Sequence, residues 1–410
     1  MTMEKYNAQG AQCLPTQADV LDGVHIARIS TVPYFVLSQL KHQIESISAS
    51  GAQVMLVTSN GPEFPSLQAL TGVACEMIEI PRSISPRRDI VALWQLLQFF
   101  RRTQIDIAHS TTPKAGLLTA VAALLAGVPI RLHTFTGQPW VNMTGPMRWF
   151  ARASDRLIAR LNTRCYTDSA SQRQFLIEQG VVAATRLFVI GAGSLAGVNL
   201  DRFNPARFSE QQRLALKDKL GIPHAVPVLL FVGRITADKG VRELLAAFRE
   251  LKSARNTAHL IFVGHFDSEI GGGAGLARRD IEGIADVHIA GFTECPEAYM
   301  AIADILCLPS YREGFGTVVI EAAAMGVPTV GSDIYGLSDA VENGVTGMLV
   351  PPRDAAALAA ALSALLADED RRRLMGRAAR RRAEQLFDAK QVNGKLIAEY
   401  RALLNARKVH

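Results

Sequence analysis

Strand-like and helix-like segments alternate along nearly the whole chain, in two runs separated by a single break. The first run opens with VHIARIS (24–30), the helical pattern FVLSQLKHQIESISAS ending at Gly51, and AQVMLVTS (52–59). It continues through CEMIEI, the helix DIVALWQLLQFFRRTQ (89–104), IDIAHS, the helix PKAGLLTAVAALLAG, PIRLHTF, the basic helix MRWFARASDRLIARL, RCYTDS and LFVIGAGS. Strands joined through helices pair in parallel, and the crossing helices cover both faces of the sheet. At AGVNLDRFNPARFSE (196–210) the pattern gives way to polar residues, Asn and Pro, as in a linker. It then restarts with VLLFVGR (228–234), HLIFVGH, DVHIAGF, DILCLPS, PTVGSD and TGMLVPP, and closes with helices over 354–367 and 369–408.

The expected architecture is α/β, with two doubly wound Rossmann-like domains, 20–200 and 201–385, facing each other across a cleft. At 410 residues the chain exceeds the usual size of one core. Ligands of such folds bind beyond the carboxyl ends of the strands. Residues 1–19 hold no apolar segment of the kind a secretory signal needs and read as a loose arm. The helix at 386–410 is expected to pack back on the first domain.

Composition narrows the class. A hydrophobic content of 49% excludes a mostly disordered chain. The longest apolar run, 117–130, falls short of the ~20 residues that span a bilayer. Five scattered cysteines (Cys13, Cys75, Cys165, Cys295, Cys307) show no CxxC spacing, so neither a disulfide framework nor a zinc site is expected, and a reducing cytosol fits. Residues 1–200 carry 17 Lys and Arg against 12 Asp and Glu, whereas 201–410 are nearly balanced at 27 against 26. A basic first half suits an anionic partner or solvated helix faces; no nucleic-acid motif accompanies it.

The chemistry is concentrated in the second run. FVGRITADKG (231–240) is a strand, a turn and a helix start, with Arg234 and Lys239 beside outward-pointing helix N–H groups. That combination suits a diphosphate, although surface charge on an ordinary loop looks the same. YREGFGTVVIEAAAMGVPTV (311–330) then places Glu313 in a glycine-rich turn and Glu321 inside an apolar helix capped by Gly326. Gly314 and Gly316 let backbone approach a ligand closely, and the helix from Thr317 turns its N-terminus to the same cleft. A carboxylate on so apolar a segment needs a partner, and a vicinal diol such as a ribose offers two hydroxyl donors. The bland alternatives are a helix salt bridge for Glu321 and a capping contact for Glu313.

These residues carry a resemblance. FVGRITADKG, AGF and PSYREGFGTVVIEAAAMGVPTVGSDIYGLSDAVENGVTGMLVPPRD, in this order, resemble the nucleotide-sugar domain of family 4 glycosyltransferases, retaining enzymes of the GT-B fold. Glu313 and Glu321 match the family's E-x7-E signature. HSTTPKAGLLTAVAALLAGVPIRLHTFTGQPW further resembles members that build bacterial surface polysaccharides or lipid-linked glycans. The resemblance implies that Arg234 and Lys239 hold the donor diphosphate, Glu321 the ribose and Glu313 the sugar hydroxyls. Gly233, Gly314, Phe315, Gly316 and Thr317 would complete the donor site. It also implies a donor-sugar contact from the first domain, but here the usual histidine position holds Thr136, leaving His133, Thr136 or His109 to serve. His109, at a strand end, reads first as a structural histidine. GAGSLAG (191–197) departs from the dinucleotide fingerprint and reads as a hinge, and GGGAG (271–275) as a mobile loop.

The expected function is transfer of a sugar from a nucleotide donor, a UDP-sugar by expectation, to a glycan or polyprenyl-diphosphate-linked acceptor. No cofactor or metal is demanded, because fixed cations and helix ends would stabilise the leaving diphosphate. The expected location is the cytoplasm, on the inner face of an anionic membrane. The helix at 89–104 carries Trp94, Leu96, Leu97, Phe99 and Phe100 between Arg87–Arg88 and Arg101–Arg102. Core packing against the sheet comes first for these apolar residues, as in any amphipathic helix, and the wide apolar arc with basic ends also suits shallow insertion among headgroups. The competing readings are a nucleotide-sugar 2-epimerase of the same architecture and a non-catalytic nucleotide-sugar sensor.

Overall fold

The computed structural model describes residues 20–266 and 276–408. The expectations for the arm at 1–19 and the loop at 271–275 lie outside the described residues. The first domain holds a seven-stranded sheet of β1 (His25–Ile29), β2 (Gln53–Thr58), β3 (Val73–Met77), β4 (Ile107–Thr111), β5 (Ile130–Phe135), β6 (Arg164–Thr167) and β7 (Leu187–Val189), in the order 3-2-1-4-5-6-7. The second holds six strands, β8 (Val228–Val232), β9 (His259–Val263), β10 (Val287–Gly291), β11 (Ile305–Leu308), β12 (Thr329–Ser332) and β13 (Gly347–Val350), in the order 10-9-8-11-12-13. Every pairing is parallel. The order reverses between β1 and β4 and again between β8 and β11, and at those switch points the crossing loops part to leave a crevice.

The helices that matter below are α1 (Lys41–Ala49), α2 (Pro86–Arg102), α3 (Pro113–Leu125), α4 (Gly145–Leu161), α5 (Ala170–Glu178), α6 (Glu210–Lys219), α7 (Val241–Ser253), α8 (Thr317–Ala324), α9 (Ala355–Ala367), α10 (Glu369–Leu386) and α11 (Ala389–Lys408). Central strands are covered on both faces, so they are apolar without alternation: VLLFV and HLIFV of β8 and β9 bury nearly every side chain. One large apolar cluster fills the second domain, and three smaller ones lie on the two faces of the first sheet.

Two helices expected as continuous are broken. Residues 33–40 form a short helical turn, Pro33–Phe35, and a wider π-type turn, Val36–Leu40, before α1 begins. The closing run splits at Phe387–Asp388, where the chain meets the linker: Val198 N–H donates to Phe387 O at 2.7 Å and Ala389 N–H to Val198 O at 2.9 Å. Backbone groups used this way are lost to the helical ladder. Gly197 lies so close to this crossing that a Cβ there would meet Phe387 O at 2.6 Å.

Beyond the break, α11 lies against the first domain. Tyr400 is buried, its hydroxyl 2.8 Å from an Arg28 N–H, and Glu399 accepts from the Tyr166 hydroxyl at 2.8 Å and from Arg164. In the same network Arg28 donates to His109 Nδ1 at 2.6 Å, which places the His109 proton on Nε2, 2.8 Å from Thr134 Oγ1. Burial and the Arg28 charge hold that imidazole well below its ordinary pKa. His109 is a satisfied core histidine tying the last helix to the first sheet.

Candidate active site

The loop after β8 runs through Gly233 and Arg234 to a tight turn, Ala237–Lys239, and then to α7. Gly240 makes this path possible. It holds a left-handed φ of 69°, and a Cβ on it would lie 1.9 Å from Pro309 O in the loop after β11. The close approach brings the two loops together. Lys239 Nζ sits 2.5 Å from Glu313 Oε1, and Ser310 Oγ donates to the same oxygen at 2.8 Å. Asp238 lies behind them. Burial alone would raise its pKa, but the Thr236 hydroxyl and the charges of Arg234, Lys239 and Arg312 hold it below the ordinary value.

From Glu313 the chain passes Gly314, Phe315 and Gly316 into α8, with Gly316 as its N-cap at φ 83°. A Cβ at Gly316 would strike Leu337 at 2.6 Å, so glycine brings the helix N-terminus into the crevice. Thr317 is the first residue of α8. Phe315 requires a correction to the expected donor site. Its ring is buried in the second domain's core and packs edge-on against Phe387, centroids 5.1 Å apart, so only its backbone is available to a ligand.

Glu321 lies one turn into α8, and its side chain makes no hydrogen bond or ion pair to the protein among the described residues. Its pKa is pushed up to about 7, by burial first, with Arg202 opposing and Glu297 adding to the rise. Arg202 is engaged elsewhere, 2.9 Å from Glu297. Neither the helix salt bridge nor a satisfied burial accounts for Glu321. Burial, and next the Glu321 charge, raises the pKa of the Tyr34 phenol on the first domain. The Tyr34 ring meets Phe292 edge-on at 5.6 Å, and Phe292 stacks on His265 at 4.5 Å, 10° from parallel. This aromatic group escaped the sequence reading, although the AGF segment contains Phe292.

The facing wall comes from the loop after β5. Thr136 O accepts from Gln172 Nε2 at 2.6 Å and Gln138 Nε2 at 2.7 Å, and Arg312 donates to Gly137 O at 3.2 Å across the domains. A Cβ at Gly314 would stand 2.9 Å from Gly137 N and 3.0 Å from Asp168 Oδ2, so only glycine lets this wall close on Glu313. Asp168 is 6% exposed, its Oδ1 has no hydrogen-bond partner among the described residues, and burial pushes its pKa up to about 8. A lone aspartate after a strand gives no sequence signal of this position. Ser171, at the start of α5, bridges the domains, its hydroxyl donating to Asp339 and accepting from Gly336 N–H at 2.8 Å. Phe175 stacks between Trp140 and Tyr335, at 5.5 and 4.6 Å.

His133 does not reach this wall. It is 1% exposed, its Nδ1 is 2.9 Å from Ser110 Oγ, and its ring lies where a Cβ on Gly116 would be, 2.4 Å from Cε1. Burial drives its pKa down to about 3. The strand turns His133 beneath α3, so of the three first-domain candidates only Thr136 lines the interdomain surface.

Comparison with known proteins agrees with this arrangement. Residues 212–382 match the model for glycosyl transferases group 1, and residues 38–193 that for the glycosyl transferase 4-like domain. The capsular polysaccharide biosynthesis glycosyltransferase CapM of Staphylococcus aureus is 27% identical over 89% of this chain and 94% of its own length. A D-inositol 3-phosphate glycosyltransferase of Streptomyces avermitilis is 34% identical over 68% of this chain, an alignment spanning 61% of that protein. In fold, the chain is similar to a sucrose-phosphate synthase of Thermosynechococcus elongatus (TM-score 0.78, 23% identity, 93% of this chain and 100% of that one). It is also similar to Anabaena HepE in complex with UDP and glucose (TM-score 0.74, 18% identity, 92% and 98%). With one family model matched in each domain and a GT-B arrangement of both sheets, the chain belongs to the family 4 glycosyltransferases.

Proposed function

We propose that this glycosyltransferase transfers a hexosyl or N-acetylhexosaminyl group, with retention at the anomeric carbon, from a UDP-sugar to a glycan or polyprenyl-diphosphate-linked acceptor. The setting would be bacterial polysaccharide synthesis, in the cytoplasm at the inner face of an anionic membrane. The observation that carries the reading is the meeting of Lys239 and Glu313 beside the α8 N-terminus, with Arg234 on the same loop. A diphosphate laid across that N-terminus meets backbone N–H groups and two cations, and the adjoining carboxylate accepts from sugar hydroxyls. Glu321, without a protein partner among the described residues, would accept from both ribose hydroxyls. The stacked Phe292 and His265 offer a flat face to a base. The role of CapM in capsular polysaccharide biosynthesis and the UDP and glucose bound by HepE support the substrate class.

In the reaction the bond from the sugar's anomeric carbon to the diphosphate oxygen breaks, and a bond to an acceptor hydroxyl oxygen forms on the same face. The acceptor's proton passes to the departing diphosphate. Arg234, Lys239 and the α8 amides stabilise the charge that develops there, so the proposal calls for no metal. The test is turnover of radiolabelled UDP-sugars with a membrane extract, with and without EDTA, followed by anomeric analysis of the product. Transfer with retention supports the reading. An epimerised nucleotide sugar would point to the 2-epimerase, and donor binding without turnover to a sensor.

A further inference from the structure

We propose that the outer surface of α2, α3 and α4, centred on Trp149 and Phe150, is a docking face for an anionic lipid bilayer. This deepens the membrane part of the function proposed above and rests on it, and it shifts the centre of the contact from α2, which the sequence singles out, to α4. In α2 the large side chains Leu96, Phe99 and Phe100 are buried against the sheet, leaving Ile90, Val91 and Trp94 outside. The more prominent feature is the start of α4. Every residue from Thr144 to Phe150 is exposed, so the helix tip stands clear of the domain until Asp155, Ile158 and Ala159 bury it.

On that tip Trp149 and Phe150 are 63% and 60% exposed, joined by Met147 and, further along, Leu157. The two rings meet each other edge-on, 5.0 Å apart. α3 packs between α2 and α4, so the three helices form one continuous layer, and its Leu124 and Leu125 are also exposed. An apolar surface of this extent on a folded domain marks an interaction site, and tryptophan suits a boundary between hydrocarbon and water.

Charge identifies the partner. Residues 81–160 contain eleven Lys and Arg against three Asp and Glu, while the whole chain contains 44 against 38. The remainder of the protein is therefore slightly acidic, and the excess is confined to this stretch. Arg87, Arg88, Arg148, Arg156 and Arg160 are exposed around the apolar residues. None of the three acids is left to repel a negative surface: Asp89 pairs with Lys114 at 2.7 Å, Asp155 is buried on Trp140 Nε1, and Asp106 accepts from His25 N–H. Apolar tips ringed by uncompensated arginines match a layer of anionic headgroups over acyl chains. The position is also apt, because α4 begins eight residues after Gly137, which lies against Gly314 at the cleft.

The chain's three tryptophans allow a site-resolved test, since Trp140 is buried and silent to lipid quenchers. Trp94→Phe leaves Trp149 as the exposed reporter, and Trp149→Phe leaves Trp94. Each full-length variant is mixed with vesicles of phosphatidylcholine alone, or with phosphatidylglycerol added, carrying brominated acyl chains. The expected result is quenching of Trp149 with anionic vesicles only, reversed by high salt. Trp149→Ser with Phe150→Ser should weaken vesicle binding by about tenfold or more, with UDP-sugar affinity by calorimetry unchanged. No quenching of Trp149, equal quenching by neutral vesicles, or quenching of Trp94 alone would overturn the proposal. So would salt-sensitive binding to RNA without any vesicle quenching. Vesicle docking in a protein that binds no nucleotide sugar would sink the donor reading and leave this face standing.

Discussion

Lys239 Nζ and Glu313 Oε1 lie 2.5 Å apart although 74 residues separate them, one on each of the two loops that meet at the second domain's switch point. The pair is largely shielded from water, with side-chain exposures of 18% and 14%. Removing one member strands the other's charge, so the two positions should not behave independently.

Lys239→Met should lower kcat by about 10²-fold, because the lost cation acts most strongly when the diphosphate departs. Arg234→Ala should also act more on kcat than on KM. Glu313→Gln should raise KM for the donor as well, through lost sugar contacts. In the Lys239→Met, Glu313→Gln double variant the loss should fall short of the two single losses combined. Steady-state kinetics on all four proteins measures the coupling, and strict additivity would count against a shared site.

Glu321 supplies a pH signature. Its carboxyl sits near pKa 7 against an ordinary 4.5. Only the ionised form accepts from both hydroxyls of a diol, so donor affinity should rise between pH 6 and 8, and binding near pH 7 should release protons. Calorimetry in buffers of different ionisation enthalpy reads that release, and Glu321→Gln should abolish it. The stability sign is opposite. A carboxyl with a raised folded-state pKa favours folding at low pH and loses that contribution as pH rises through about 7. Free of ligand, Glu321→Gln should therefore melt higher than the parent at pH 8, with the difference fading toward pH 5. A stabilised variant that binds donor poorly is the mark of a functional carboxylate.

Much of this site was legible because it is local. Gly233, Gly240, Gly314 and Gly316 sit where backbone must turn or approach closely, and the carboxylates stand out against Ile320, Ala322 and Ala323. Parallel strands buried on both faces announce themselves as apolar runs, which made the two sheets readable. His133 misled for the same reason: at the end of such a strand a side chain is as readily covered by a helix as opened to the cleft. Asp168, Ser171, Tyr34 and Phe292 matter only because the two domains meet, and no periodicity within either domain encodes that meeting. The break at Phe387–Asp388 has the same origin, since Val198 of the linker takes the backbone groups there.

Gly240 tests how tightly the two loops must fit. Alanine would take on a left-handed conformation costing ~1–2 kcal/mol, and its Cβ would start 1.9 Å from Pro309 O. The loop must then shift, carrying Lys239 away from Glu313. Gly240→Ala should lower the melting temperature and reduce turnover together. Gly221→Ala provides the contrast: its φ is 68°, but nothing lies within 4 Å of its Cβ, so it should cost stability without touching turnover. Equal turnover losses in both variants would mean that backbone strain, and not the fit of the two loops, sets activity.

Ser171 tests the closure of the domains. Its hydroxyl donates to Asp339 and accepts from Gly336 N–H, and a Cβ on Gly336 would stand 2.7 Å from Gly314 O and 2.8 Å from Glu313 O. One side chain of the first domain thereby holds the backbone that follows Glu313. Ser171→Ala would leave the Gly336 N–H without its acceptor and remove one of the two Ser171 donors to Asp339, which keeps the Ser171 N–H at 3.1 Å, a loss of ~1–3 kcal/mol borne by the closed arrangement. Neither domain's own core is touched, because α5 still packs through Leu176 and Asp339 lies on the far domain. The variant should therefore show a larger radius of gyration by small-angle scattering, with little change in secondary structure. Its KM for the donor should rise severalfold, and saturating donor should restore much of kcat, since ligand bound between the domains replaces the missing clasp. Cysteines at Ser171 and Asp339, joined under oxidising conditions, would reverse the expansion. An unchanged scattering profile and KM in Ser171→Ala would show that the other interdomain contacts, the Trp140–Phe175–Tyr335 stack and Arg312 on Gly137 O among them, suffice to hold the cleft closed.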